Sequence, residues 1–213
     1  MLEDLAKGFV ELKREEVFET IKTRVENGED ALKILDEARL GMVAVGDHFQ
    51  KGDLFLAEMM LSAEIFKEAI TILKPYMDNS RPREARGKVV LATLKGDIHD
   101  LGKNILATFL EGQGFEVFDL GVDVEPSVLV EKCKQVRPDF VGFSALVTTV
   151  FESMRIAADL LEEVGLREKI KLMVGGGVTN STLKEHLKAD FQTTDAMAGV
   201  SYCLKIMEEK NAK

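Results

Sequence analysis

The stretch VVLATLKGDIHDLG, residues 89–102, joins an apolar run to a polar loop with an imidazole and a carboxylate two residues apart. The apolar run predicts a buried β-strand. In open α/β sheets, ligands bind beyond the carboxyl ends of the strands, and Asp97 and His99 follow this strand directly. A carboxylate that accepts one imidazole N–H fixes the tautomer and makes the other nitrogen a better metal donor. His99 is therefore a candidate metal ligand.

Two later segments have the same organisation. FVGFSAL, residues 140–146, predicts a second buried strand that ends near Ser144, and LMVGGG, residues 172–177, predicts a third that ends in glycines. Glycine allows a bulky ligand to approach the backbone, and Ser144 can hydrogen-bond a group inserted between sheet and helix. All three segments therefore place candidate ligand-binding residues at strand ends.

The second part of the chain alternates between the periods of strands and helices. The predicted strands lie near residues 88–94, 116–120, 140–144, 171–175 and 191–193, and the predicted helices near 102–112, 125–136, 149–164, 181–188 and 195–210. Short βα loops predict a doubly wound, parallel α/β sheet with the flavodoxin-like, Rossmann-like strand order 2-1-3-4-5. The loops of His99 and Ser144 would then meet at the switch point between the first and third strands.

The first part of the chain has only helical periodicity. Its predicted helices cover residues 2–12, 15–27, 30–45 and 56–76. A polar segment with a proline, residues 78–83, separates the two patterns. We therefore predict a helical bundle over residues 1–80 and the α/β domain over residues 81–213.

Composition limits the class of protein. The formal net charge of -9 disfavours nucleic-acid binding, which needs a basic face. No run of eighteen apolar residues exists, and residues 1–5 lack a basic segment followed by an apolar one. We expect no nucleic-acid partner, no membrane association and a cytoplasmic location.

Together, Asp97-x-His99-x-x-Gly102, Ser144-x-Leu146 and Gly175-Gly176 resemble the signature of the cobalamin-binding domain of methionine synthase and of corrinoid proteins in methyltransferase systems. The resemblance implies cobalamin, as methylcobalamin or another corrinoid, bound base-off with His99 on cobalt and Asp97 as its hydrogen-bond partner. The nucleotide tail would enter a slot lined by the serine and glycine motifs. The cofactor-binding residues implied in this domain are Asp97, Ile98, His99, Asp100, Gly102, Ser144, Leu146, Thr148, Gly175 and Gly176.

The helical half resembles the cap domain of the same proteins through GDHFQKGDLFL, residues 46–56. In the family, a four-helix bundle covers the upper face of the corrin with a Phe and a Leu seven residues apart, which match Phe49 and Leu56. Such a cap shields a reactive cobalt–carbon bond from water and must move before a partner enzyme can reach the metal. The alternative is that both side chains are ordinary core residues.

One position departs from the methionine synthase pattern. A second serine, six residues after the first, completes a hydrogen-bonded triad there, and the equivalent residue here is Val150. The triad is then reduced to the pair Asp97 and His99, unless Thr149 or Ser153 replaces the missing hydroxyl. This departure calls the proton relay into question and leaves ligation by His99 intact.

The resemblance implies a non-catalytic corrinoid subunit that shuttles between Co(I) and methyl-Co(III). Its expected partners are a substrate-specific methyltransferase, a second methyltransferase that passes the methyl group to tetrahydrofolate or a thiol, and a reductive activase. The candidate systems demethylate methylamines, methanol, aryl ethers or betaine. The alternatives are a cobalamin-dependent sensor or regulatory protein, a mutase small subunit, and a flavodoxin-like flavin or phosphoacceptor domain.

Overall fold

The computed structural model describes residues 4–77 and 85–212. The chain divides into two compact units, with the division after residue 83. The linker predicted over residues 78–83 lies outside the described residues. Within the described part, no helix has the length and apolar character needed to span a bilayer.

The first unit is helical, as its periodicity predicts. Its helices are α1 (Asp4–Val10), α2 (Arg14–Glu26), α3 (Ala31–Lys51) and α4 (Leu56–Leu73), followed by a 3-10 turn (Lys74–Tyr76). Asp30 caps α3 by accepting a hydrogen bond from the backbone N–H of Leu32 at 2.9 Å. The aromatic rings of Phe9 and Phe66 meet edge to face in the core, with their centroids 5.9 Å apart.

The predicted end of the third helix is wrong. The glycine at position 46 suggested a break after residue 45, whereas α3 continues to Lys51 and ends at Gly52, where φ is 80°. A glycine within a helix costs about 1 kcal/mol relative to alanine, and Gly46, which is buried, does not end the helix. Phe49 consequently lies in the last turn of α3, and Leu56 opens α4.

The second unit alternates strands and helices. Its strands are β1 (Lys88–Thr93), β2 (Glu116–Asp119), β3 (Phe140–Ser144), β4 (Lys171–Gly175) and β5 (Phe191–Thr193). Its helices are α5 (Leu101–Gly112), α6 (Pro126–Val136), α7 (Phe151–Glu163), α8 (Ser181–His186) and α9 (Ala196–Asn211). The described strands pair in parallel in the order β2-β1-β3-β4-β5, which confirms the predicted topology.

Strand register sorts the residues of the sheet into two faces. Val90, Val141 and Leu172 belong to one face, in a core cluster that includes residues of α6 and α7. Phe140 belongs to the opposite face, where its ring lies against Tyr202 of α9. The carboxyl ends of β1 and β3, side by side in the sheet, place the two motif loops at one edge.

Candidate functional site

His99 and Asp97 form a hydrogen-bonded pair on the loop between β1 and α5. The imidazole Nδ1 lies 2.7 Å from Oδ1 of Asp97, and the same oxygen accepts the backbone N–H of His99 at 2.9 Å. The Asp97 side chain is fully buried, whereas that of His99 is 51% exposed. One end of the imidazole is therefore anchored, and the ring itself faces accessible space.

The second carboxylate oxygen of Asp97 binds the loop after β3. It accepts the backbone N–H of Leu146 at 2.7 Å and that of Val147 at 3.3 Å. Burial raises the pKa of Asp97, but hydrogen bonds from Leu146, from the backbone and imidazole of His99, and from Val147 outweigh it, and the pKa lies below its usual value. The buried carboxylate is therefore held as an anion.

The anionic state of Asp97 decides the tautomer of His99. A carboxylate only accepts hydrogen bonds, so Nδ1 of the imidazole must carry the proton that it donates. The lone pair of the neutral ring then resides on Nε2, the nitrogen on the far side from Asp97. This arrangement fits a metal ligand whose orientation is fixed by its hydrogen-bond partner.

The loop between β1 and α5 is held at several further points. The hydroxyl of Thr93, which is buried, donates to the carbonyl of His99 at 2.9 Å. Gly96, with φ of 97°, donates its N–H to the carboxylate of Asp123 at 2.9 Å, and the N–H of Asp123 donates to the carbonyl of Asp97 at 3.0 Å. The backbone on either side of the imidazole is thus fixed by hydrogen bonds.

Exposed apolar side chains accompany the anchored imidazole. Ile98 lies on the loop between β1 and α5, Leu101 is the first residue of α5, and Leu146 follows β3. All three side chains are exposed. The backbone N–H of Leu146 donates to Asp97, so this residue belongs to the same site. Apolar surface beside a metal-ligand candidate suits a large, partly apolar macrocycle that would remove it from water.

A cavity of about 100 Å³ lies between the sheet and helices α5 and α9. Its lining includes Gly102 of α5, Ser144 of β3, and Gly175 and Gly176 after β4. A cavity needs only about 10–15 Å³ to hold a single water molecule, so this cavity has space for a larger group. We call this cavity, defined by its lining residues, the sheet–helix slot.

Glycines keep the slot open on both walls. A Cβ atom on Gly142 of β3 would lie 2.6 Å from Cδ2 of Leu91, and one on Gly199 of α9 would lie 3.2 Å from Cδ1 of Leu106. Gly176 has a different requirement, because φ is 109° and a Cβ atom would lie 2.1 Å from the carbonyl oxygen of Ala145. A glycine is thus required at position 176 because the backbone of Ala145 passes close to it.

A buried lysine lies at the start of α5. The ammonium of Lys103 contacts both carboxylate oxygens of Asp119 at 2.5 and 2.6 Å and the side-chain oxygen of Asn104 at 2.8 Å. The side chain of Lys103 is only 3% exposed, and that of Asp119 is 31% exposed. All three ammonium protons therefore have acceptors, and the pair joins α5 to the end of β2 beside the slot.

The structure brings most predicted residues of the α/β domain together, in two groups. Asp97, His99 and Leu146 share one hydrogen-bonded cluster. Gly102, Ser144, Gly175 and Gly176 line the slot. Asp100 precedes α5, where its carboxylate accepts a hydrogen bond from Asn104 at 3.0 Å. Thr148 is exposed in a 3-10 turn before α7 and is not among the residues that line the slot.

Val150 and the two residues considered as substitutes for the missing serine occupy other places. Thr149 is exposed in the 3-10 turn before α7. Val150 is fully buried in the core cluster beside α7. Ser153 donates its hydroxyl proton to the carbonyl of Lys95 at 2.9 Å. The oxygen of Asp97 that is not bound to His99 is instead occupied by backbone N–H groups. Two amides therefore hold this oxygen of Asp97.

Sequence reasoning missed several slot residues. Leu91, Gly142, Met173 and Phe191 line the slot from four neighbouring strands, and Gly199 does so from α9. A glycine inside a strand pattern signals a close approach of backbone or ligand, and Gly142 carried that signal. The other residues look like ordinary core positions in the sequence.

The site suits a corrinoid. Among residues 4–77 and 85–212, no group of three or more His, Cys, Asp or Glu side chains is placed to hold a metal ion. A single anchored imidazole fits a metal whose other ligands come from a macrocycle, and the slot offers space for an appended group.

Comparison with known proteins also indicates binding of a corrinoid. Residues 87–201 match a family model described as "B12 binding domain", and residues 1–74 match a second model with the same description. Dimethylamine corrinoid protein 2 of Methanosarcina acetivorans is 34% identical over 207 residues, which cover 97% of this chain and 96% of that protein.

Two solved structures are similar over nearly the whole chain. A cobalamin-binding protein from Desulfitobacterium hafniense has a TM-score of 0.79 and 35% identity, covering 96% of this chain and 98% of that one. A chain of the methanol:cobalamin methyltransferase complex of Methanosarcina barkeri has a TM-score of 0.86 and 28% identity, covering 96% and 78% of the two chains.

Proposed function

Because the chain belongs to the family of cobalamin-binding corrinoid proteins, we propose that it carries a methyl group between methyltransferases on a corrinoid bound base-off to His99. The observation that carries this proposal is the anchored imidazole, whose Nδ1 is bound to a buried carboxylate and whose Nε2 is left to bind cobalt. The corrinoid, when bound, supplies the cobalt atom that accepts and releases the methyl group.

The residues of the α/β unit have separate tasks in this proposal. Asp97 orients the imidazole and keeps its proton on Nδ1. Ile98, Leu101 and Leu146 provide apolar surface for the macrocycle. Ser144 and the glycines of the sheet–helix slot receive the displaced nucleotide tail. In this proposal, these residues bind and orient the cofactor.

The first proposed partner is supported by the relatives. One similar structure is part of a methanol:cobalamin methyltransferase complex, so we propose a substrate-specific methyltransferase as the first partner. The dimethylamine corrinoid proteins make methylated amines the donors to test first and methanol the second. A second methyltransferase, which passes the methyl group to tetrahydrofolate or a thiol, and a reductive activase complete the proposed cytoplasmic system. The relatives favour this function over that of a sensor.

The helical unit is proposed to be the cap. Phe49 in the last turn of α3 and Leu56 at the start of α4 lie seven residues apart, as in the caps that the sequence resembles. The second match to a B12 binding domain, residues 1–74, supports this role for the unit. Its proposed task is to shield the upper face of the corrinoid from water.

Ligation by His99 is tested with purified protein loaded with cobalamin. In protein that carries nitrogen-15-labelled histidine, reduction to the Co(II) form should give an electron paramagnetic resonance spectrum with the doublet splitting of one axial nitrogen-15, which the unlabelled base of the cofactor cannot give. His99→Ala should lose that splitting, because the ligating nitrogen is removed. His186→Ala, which changes another histidine at the end of α8, should retain it. Unchanged splitting in His99→Ala contradicts the assignment.

Methyl transfer is tested with the loaded protein, a panel of methylated amines and methanol, and candidate methyltransferases. Transfer should require the protein, the cofactor and one matching methyltransferase together. Loss of transfer in His99→Ala, with normal transfer in His186→Ala, would connect the activity to the site. Failure with every pairing despite full cofactor loading would count against the carrier function.

A further inference from the structure

The sheet–helix slot has an apolar floor and a polar upper level. Leu91, Gly142, Met173 and Phe191 pair across four neighbouring strands in one row, and all four line the slot. Two residues further along each strand, the same face presents a second row that contains hydroxyls and a glycine: Thr93, Ser144, Gly175 and Thr193. The second row is closer to the carboxyl edge of the sheet, by about 7 Å.

A group that enters from the carboxyl edge would therefore meet hydroxyls first and hydrocarbon last. The ribose and phosphate of a nucleotide tail suit the upper row, where the hydroxyl of Ser144 lies. The hydroxyl of Thr193 in the same row already donates to the backbone carbonyl of Asp195 at 3.2 Å. The terminal base would lie against the lower row, under Leu106 of α5, which also lines the slot. The end of the slot that would hold the base is lined by Leu, Met and Phe side chains.

The charged groups near the slot already have partners within the chain. The ammonium of Lys103 is bound to Asp119 and Asn104. The carboxylate of Asp195 accepts the N–H of Met197 at 2.8 Å, at the start of α9. A polar edge on the buried base would therefore lose its hydrogen bonds to water without gaining equivalent ones.

We propose that the slot selects corrinoids whose lower base is an apolar aromatic ring of the benzimidazole class over those that carry a purine. This inference rests on the proposed function, since it requires the tail to occupy the slot. The ring nitrogens and exocyclic amine of adenine would be buried against Leu91, Met173, Phe191 and Leu106. The methyl groups of dimethylbenzimidazole would instead pack against apolar side chains.

The test uses apo-protein and equilibrium dialysis with three probes: cobalamin, the cobamide that carries adenine in place of dimethylbenzimidazole, and cobinamide, which lacks the nucleotide tail. We expect cobalamin to bind about tenfold or more tightly than the adenine form. Both should bind more tightly than cobinamide. Leu106→Gln adds an amide to the slot from a partly exposed helix position. This variant should reduce the ratio of the affinity for cobalamin to that for the adenine form.

A pair of further variants tests where the tail binds. Gly199→Leu should weaken binding of both tail-bearing corrinoids and leave cobinamide binding unchanged, because the new side chain fills the slot. Ser201→Leu, at an exposed position of the same helix, should change none of the three affinities. Circular dichroism of each variant verifies that it is folded.

The outcomes separate the inference from the proposed function. Equal affinity for the two tail-bearing forms, with both bound more tightly than cobinamide, overturns the selectivity and leaves the carrier function standing. Equal affinity for all three probes overturns the assignment of the slot to the tail, and the selectivity with it. Absence of binding by every probe overturns the proposed function itself.

Discussion

Oδ1 of Asp97 lies 2.7 Å from Nδ1 of His99, while Oδ2 of the same carboxylate binds the backbone of the loop after β3. One buried side chain thus connects the candidate cobalt ligand to a second strand end. The carboxylate receives N–H donors on both oxygens, and these hydrogen bonds stabilise its charge. These donors hold Asp97 in place although Val150 stands where the methionine synthase pattern has a serine.

Replacement of Asp97 by asparagine should weaken the site and the fold together. The amide offers one acceptor oxygen where the carboxylate offers two, so two of the four N–H donors would face an NH₂ group. We expect a loss of about 2–4 kcal/mol in the free energy of unfolding and a weakening of axial ligation by about 10–100-fold. Urea denaturation and the Co(II) nitrogen splitting measure the two effects. Asp100→Asn is the matched control on the same loop, and equal effects of the two substitutions would contradict the prediction.

The lowered pKa of Asp97 predicts a dependence of stability on pH. A carboxylate whose pKa is lower in the folded state stabilises the fold above its unfolded pKa of about 3.9, and this contribution is lost as the pH falls through the folded value. The stability difference between the wild type and Asp97→Asn should be constant near neutral pH and shrink below about pH 4. Denaturation series at several pH values measure it, and a difference that stays constant into acid would refute this account.

Substitutions of Lys103 and of Asp119 should lower the free energy of unfolding by different amounts. Asp119→Ala leaves a buried ammonium without its main partner and should cost about 3–5 kcal/mol in the free energy of unfolding. Lys103→Met leaves a carboxylate that is one-third exposed and can be hydrated, so it should cost less. The double variant should cost less than the sum of the single ones. Urea denaturation of the three variants measures these costs. A larger loss of stability in Lys103→Met than in Asp119→Ala would contradict the prediction.

Two glycines with positive φ should differ in their tolerance of alanine. Gly176→Ala places a Cβ atom 2.1 Å from the carbonyl oxygen of Ala145 and should cost about 3 kcal/mol or more. Gly165, with φ of 69°, has open space where a Cβ atom would lie, so its replacement should cost only about 1–2 kcal/mol. Thermal and urea denaturation compare the two, and similar costs would show that the loop after β3 yields easily.

The proposed cap function of Phe49 predicts an effect on photolysis. Phe49→Ala in protein loaded with methylcobalamin should accelerate cleavage of the cobalt–carbon bond by light, because shielding is reduced. Tyr76→Ala is the control, since this exposed aromatic residue follows α4 at the end remote from Leu56. Visible absorption follows the decay, and equal rates in Phe49→Ala and the wild type would argue against a shielding role.

The topology of the α/β unit could be predicted because its signals are local. Apolar runs, glycines and helical spacing locate each element, and the right-handed crossover rule then leaves few strand orders. The end of α3 could not be predicted in this way, because the sequence does not show that Gly46 is buried in the fold. A glycine breaks an exposed helix more readily than a packed one.

For the site, too, local contacts could be predicted from the sequence and distant ones could not. Asp97 and His99 are two residues apart in sequence, so their pairing was visible in the motif. The contact between Asp97 and Leu146 depends on how two strand ends meet. The floor of the slot depends on the register of four strands, which aligns Leu91 with Gly142, Met173 and Phe191. No single segment of the sequence contains that alignment.

The hydrogen bond from Leu146 to Asp97 joins positions that are 49 residues apart in the chain. Substitutions that shift the backbone near residue 146 should therefore be epistatic with substitutions at Asp97 or His99, although they touch neither imidazole nor cofactor directly. Homologous chains that exchange one of these two loops would keep this hydrogen bond only where the backbone paths of both loops stay the same, so the loops are expected to evolve as one inherited unit.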